Sequence, residues 1–148
     1  MTVSDNSQPR PSRKEPVLSI ELHTAASQII IPTIRTVAAD LAARADFDLD
    51  SIDDLRMAVD DACAMLVPMA AANATLSCTL TVWDERIELA AEVEADDSAD
   101  PLPTGSFGWR ILESLADEVS GLFLPGAPGK GGRVRITLAK GALTAPQP

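Results

Sequence analysis

Two stretches of the chain hold residues whose types and spacing bear on chemistry. In LRMAVDDACAMLV, residues 55–67, the acid Asp61 stands one helical turn before Met65. In PTGSFGWRILESLADEV, residues 103–119, Gly105 and Gly108 lead into the helix-forming run Trp109, Arg110, Ile111, Leu112. Glycines ahead of a helix let backbone N–H groups face a phosphate at the positive helix end. An ordinary loop entering a helix has the same pattern. Asp61 taken alone is either a working carboxylate or a solvated helix acid beside Asp60. Lys130 and Arg133 flank a glycine turn; they either touch phosphate or keep a hairpin soluble. Trp109 packs in the core or against a partner.

Cys63 and Cys78 are the two cysteines, and His23 is the single histidine. A zinc site takes about four ligands, so no metal site is expected from Cys and His. In a reducing compartment the default is two buried thiols. A redox switch through a Cys63–Cys78 disulfide stays open, because sequence does not set their separation.

The elements that must position these residues follow from periodicity. Residues 17–23, VLSIELH, alternate Val17, Ser19, Glu21 and His23 against Leu18, Ile20 and Leu22, as in a half-buried strand. Ser27 is placed to cap a helix through about Ala45, with Ile30, Ile34, Val37, Ala38 and Leu41 at helical spacing and Pro32 in its first turns. After the acidic connection DFDLDSIDD, Asp50 or Ser51 is expected to cap a second helix reaching about Ala71, with Leu55, Val59, Ala62, Leu66 and Met69 inward. Pro68 should bend or end it. ATLSCTLTVW and RIELAAEVEA make a hairpin about the Asp84-Glu85 turn. FGWRILESLADEV predicts a third helix with Ile111, Leu112, Leu115 and Val119 inward. VSGLFL suggests a short strand, and RVRITLAK a last one. The order β-α-α-β-β-α-β-β predicts an α+β two-layer sandwich: a mixed, mostly antiparallel sheet with helices on one face.

At 148 residues, 46% hydrophobic, the chain fits one domain, expected over residues 17–140, with flexible tails at 1–16 and 141–148. No apolar run approaches the roughly 20 residues of a membrane span. The polar, Pro-rich start lacks a signal-peptide core, so a cytoplasmic location is expected. Net charge is −10 and the pI is near 4.4. That balance argues against direct nucleic-acid binding. It permits a basic protein partner, and it is also what plain solubility requires.

The two stretches together resemble the N-box and second glycine box of GHKL-type ATPases, in the branch of RsbW-like anti-sigma factors. GSFGWRILESLADEV is especially similar to the actinobacterial, UsfX-like anti-sigma-F proteins. The resemblance implies the GHKL fold, ATP and Mg²⁺ as possible cofactors, and phosphorylation of a serine on an anti-anti-sigma partner. It implies that Asp61 matches the N-box acid, as general base or as the group orienting the attacking hydroxyl. Asp is one methylene shorter than the usual Glu. Met65 falls where the family has the Asn that helps hold Mg²⁺, and a thioether is too soft for that ion. Gly105 and Gly108 match the second glycine motif. Asp96 or Asp97 matches the adenine-reading Asp of the first, but EADDSADPLP has no glycine to let backbone approach a nucleotide.

The expected function is therefore an anti-sigma factor with degenerate nucleotide motifs. It would sequester a sigma-F-type sigma factor and be released by a STAS-domain anti-anti-sigma protein. A homodimer without direct nucleic-acid or membrane contact is expected. The alternatives are an active ATP-dependent serine kinase and a structural dimerisation module.

Overall fold

The computed structural model describes residues 15–96, 102–128 and 131–142. Strand β1 is Leu18–Ala25. A short 3-10 turn, Gln28–Ile30, follows, with the Ser27 hydroxyl accepting from the Ile29 N–H. That turn leads into helix α1, Ile31–Arg44, with Pro32 in its first turn, where a missing N–H costs nothing. Asp46 takes a left-handed φ of 62° in the connection, a conformation Asp tolerates better than most residues.

Helix α2, Leu49–Leu66, starts two or three residues earlier than expected. Its cap is Asp48, whose carboxylate accepts from the Ser51 N–H at 2.9 Å; neither Asp50 nor Ser51 serves. Ser51 is instead buried. Pro68 lacks the N–H to extend the helix, so the chain tightens into a 3-10 turn, Val67–Met69, rather than continuing to Ala71. Leu55, Val59, Ala62, Leu66 and Met69 are all buried, as the periodicity requires.

Strands β2, Thr75–Trp83, and β3, Arg86–Glu94, pair as a hairpin whose closing pair is Trp83 with Arg86. Helix α3, Phe107–Leu115, is shorter than its sequence suggests. From Glu118 to Leu124 the chain is strand β4, so Val119 pairs with Leu138 in the sheet instead of extending the helix. The Asp117 N–H donates to the Ala139 carbonyl, and the Asp117 carboxylate accepts from the Gly141 N–H at 2.6 Å. These ties to β5, Arg133–Gly141, outweigh local helix propensity. Ile111, expected inward, is 36% exposed, and Trp109 with Leu112 forms the buried face.

The sheet order is β1-β2-β3-β5-β4. All four pairings are antiparallel, where a mixed sheet was expected. The crossover from β3 through α3 to β4 leaves a gap of one strand, and β5 fills it in the opposite direction. The α+β sandwich is otherwise as read. One face carries Leu76, Cys78, Leu80, Val82, Ile87, Leu89, Ala91, Val93, Val134, Ile136 and Leu138, all buried with the helices' apolar sides in one core. The other face is polar, with Arg135 and Arg133 both ion-paired to Glu92 at 2.8 and 3.1 Å. Among the described residues no helix is long and apolar enough to cross a membrane.

Candidate functional site

The fold brings the two stretches together. Helix α2 carries Asp61 and Met65 along its length, and α3 packs beside it. A Cβ built on Gly108 would lie 3.5 Å from Cε of Met65, an ordinary van der Waals distance. The Met65 methyl group therefore faces the Gly108 position, with room for a methyl between them. The Ser106 hydroxyl caps α3 by accepting from the Trp109 N–H at 3.1 Å. Gly105 has nothing within 4 Å of a Cβ position and stands in the open. Trp109 is 5% exposed and so belongs to the core; Cη2 of its indole would lie 3.2 Å from a Cβ on Gly121 of β4.

Asp61 is half-buried, and its carboxyl is held above the ordinary aspartate range, first by burial and then by the charge of Asp60. Asp60 itself is tied down. Its Oδ2 accepts from Nη1 of Arg35 in α1 at 2.8 Å, while its Oδ1 is buried without a hydrogen-bond partner. Asp60 is thus the structural acid that joins α1 to α2. Arg35 gave no sign of this role in the sequence, because a helix-to-helix ion pair has no local spacing.

Arg133 and Asp96 are placed away from Met65 and Gly108 by their own partners. Arg133 projects from the helix-free face of the sheet and pairs with Glu92, opposite to the face under α2 and α3. That pairing suits the reading of Arg133 as a solvated surface charge. Asp96 ends the β3 side, its N–H donating to the Met69 carbonyl. Asp97 and Lys130 lie outside the described residues.

No family model matches the chain. It is 35% identical over 118 residues to the anti-sigma-F factor RsbW of Mycobacterium tuberculosis, a match covering 79% of this chain and 69% of that protein. The chain belongs to the RsbW family of anti-sigma factors. The serine-protein kinase RsbW of Bacillus subtilis is 28% identical over 120 residues, covering 68% of this chain and 75% of that protein. A serine-protein kinase RsbW of Bacillus licheniformis is 27% identical over 121 residues, with the same coverage.

Kinase relatives make ATP a possible ligand for an RsbW-family chain, and the residues here can be tested for fit. A Mg²⁺ ion held from α2 needs a hard oxygen at position 65. The side chain there is a thioether, whose methyl lies 3.5 Å from where a Cβ on Gly108 would stand. Among the described residues no group of three or more His, Cys, Asp or Glu is arranged to hold a metal. A thioether at position 65 does not fit the Mg²⁺ ligand that the resemblance implies there.

Proposed function

We propose that this RsbW-family chain works by stoichiometric binding to a sigma factor of the sigma-F type, without needing phosphoryl transfer. The observation that carries the reading is the Met65 thioether, its methyl turned toward the Gly108 position, where the resemblance implies a hard oxygen ligand. A nucleotide switch needs an ion site at that point, and the chain offers an apolar side chain in its place. The name of the mycobacterial relative supplies the sigma-F assignment.

Release would follow from competition by a STAS-domain anti-anti-sigma protein, which needs only a difference in affinity between two partners. A homodimer is the expected binding form. The start of α2 supports a partner-facing role: Leu49 is 79% exposed and is flanked by Asp48 and Asp50. An exposed leucine among acids suits a partner surface that is apolar at its centre and basic around it. With a net charge of −10, encounter with basic protein surface is favoured at low salt.

The kinase names of the Bacillus relatives, with the half-buried Asp61 carboxylate, favour a second reading: an active serine kinase. Incubation with radiolabelled ATP, Mg²⁺ and a STAS-domain partner separates the two. Label on a partner serine, lost in Asp61→Asn, supports the kinase. Sigma-factor capture without nucleotide, and no label, supports stoichiometric binding.

A further inference from the structure

Helix α2 buries Leu55, Ala58, Val59, Ala62 and Leu66, and its opposite side faces solvent. Across that side runs a row at intervals of four: Leu49, Asp53, Met57, Asp61, Met65. Apolar and acidic residues alternate along it without a break. On a helix such a row is a continuous ridge, tilted ~26° to the axis, and these residues span about 24 Å. Exposure falls along it: Leu49 is 79% exposed, Met57 is 47% exposed, and Asp61 and Met65 are half-buried. The ridge thus starts in open solvent and ends at the candidate site, where the Met65 methyl faces the Gly108 position.

A single exposed apolar residue is ordinary. Two on one ridge, each set beside acids, form a surface that is apolar and negative by turns. The acids flanking the ridge are already paired: Asp54 with Lys140 at 3.3 Å and Asp60 with Arg35 at 2.8 Å. Asp53 meets only its exposed neighbour Arg56, at 3.6 Å, a pair that solvent screens. The Asp61 carboxyl is raised by burial and by the charge of Asp60, so a cation brought to it is favoured.

We propose that this ridge receives one basic amphipathic helix of a protein partner, with Lys or Arg opposite Asp53 and Asp61 and apolar side chains around Leu49 and Met57. Ridges of this spacing interdigitate with the same rows of a second helix. The alternation fixes the register, because a slip of four residues sets each cation against an apolar side chain. A second copy of this chain does not fit: contact of α2 with α2 sets acids against acids or against apolar groups. Nucleic acid is repelled by the same charge. The inference rests on the anti-sigma reading for the partner's identity alone; the chemistry of the helix follows from the ridge. A helix docked along it covers Asp61 and Met65, so the partner and any ligand at the candidate site exclude one another.

The test uses the full chain and two probes. One is a labelled helical peptide of Ala, Leu and Lys, with Leu and Lys alternating every fourth residue; the other is the cognate sigma-F-type factor. Fluorescence anisotropy should show saturable binding of the peptide, and none when Glu replaces its Lys. Leu49→Ser with Met57→Ser keeps every charge, so it should leave general attraction intact yet weaken both probes about tenfold or more. Ile29→Ser removes an equally exposed apolar residue away from the ridge and should change neither. Where the double variant does not fold, the unaltered chain decides: the Met57 methyl NMR signal should shift on peptide addition while that of buried Met69 stays. Peptide binding lost in the ridge variant, with no sigma binding by the unaltered chain, upholds the ridge and overturns the anti-sigma reading. Peptide or sigma binding that the ridge variant leaves unchanged overturns the ridge, as does a dimer that the variant converts to monomer.

Discussion

Met65 and Gly108 stand 43 positions apart in the sequence, and the fold sets the Met65 methyl 3.5 Å from where a Cβ on Gly108 would lie. In a chain that holds Mg²⁺ here, position 65 must supply a hard oxygen. Here it supplies a flexible apolar side chain, turned toward α3.

The first prediction tests that contact by calorimetry. Titration with Mg²⁺-ATP should give weak or no binding. Met65→Asn exchanges a soft thioether for a hard amide oxygen, so it should raise affinity. Gly108→Val brings branched methyls against the Met65 position and should abolish any residual binding. Micromolar, Mg²⁺-dependent affinity in the unaltered chain would sink the reading.

The glycines separate by stability. A methyl at Gly108 meets neighbours at ordinary contact distance inside α3, so Gly108→Ala should stabilise by ~0.5–1 kcal/mol through the unfolded chain. A methyl at Gly121 would come 2.7 Å from Leu102 Cδ1 and 3.2 Å from the Trp109 ring. Gly121→Ala should therefore destabilise by ~1–3 kcal/mol and alter Trp fluorescence. Urea melts of the two variants should move in opposite directions.

The pH dependence of Asp61 has a definite sign. Its carboxyl is raised in the fold by burial and by Asp60, so the native state holds a proton that the unfolded chain has already lost. Stability from this group is largest at acid pH and falls as pH rises from the ordinary aspartate range through the raised value. Asp61→Asn should raise the Tm modestly at pH 7, and the gain should vanish once pH falls below the unfolded value. A variant that loses stability at pH 7 would contradict this.

Removing the guanidinium of Arg35 leaves Asp60 without its partner while one oxygen is already buried and unbonded. Both side chains are about one-third exposed, so solvent screens part of the loss. Arg35→Met should destabilise by ~1 kcal/mol. Asp60→Asn in the same background should recover part of it, measured as a double-mutant cycle by urea denaturation.

Much of the architecture was legible in the sequence because it rests on periodicity. The β2–β3 hairpin announces itself by strict alternation either side of Asp84-Glu85, and α2 by its buried stripe. The errors fall where tertiary pairing overrides local signals. Residues 116–119 continue a helical pattern, yet the helix ends at Leu115 and Glu118 and Val119 pair with β5 as strand. Asp50 and Ser51 look like caps, yet Asp48 is the acid that precedes the first helical turn with extended backbone. The site was half legible. Position 65 could be read as a lost oxygen ligand, but only the packed fold turns its methyl toward the Gly108 position and pairs Asp60 with Arg35.

The central claim is nucleotide-independent capture of a sigma factor, and surface plasmon resonance tests it most directly. Immobilised cognate sigma-F-type factor should bind the chain without ATP, with association slowing as salt rises. Charge reversal must avoid Asp48, which caps α2, and Asp46, whose left-handed backbone suits Asp better than Lys. Asp50→Lys with Asp53→Lys, both exposed on α2, should slow association several-fold at low salt and leave the fold intact. Tight binding without nucleotide, weakened by that pair of reversals, is the predicted result. A folded sample that shows no sigma binding at low salt, or that binds only when Mg²⁺-ATP is supplied, would contradict the account.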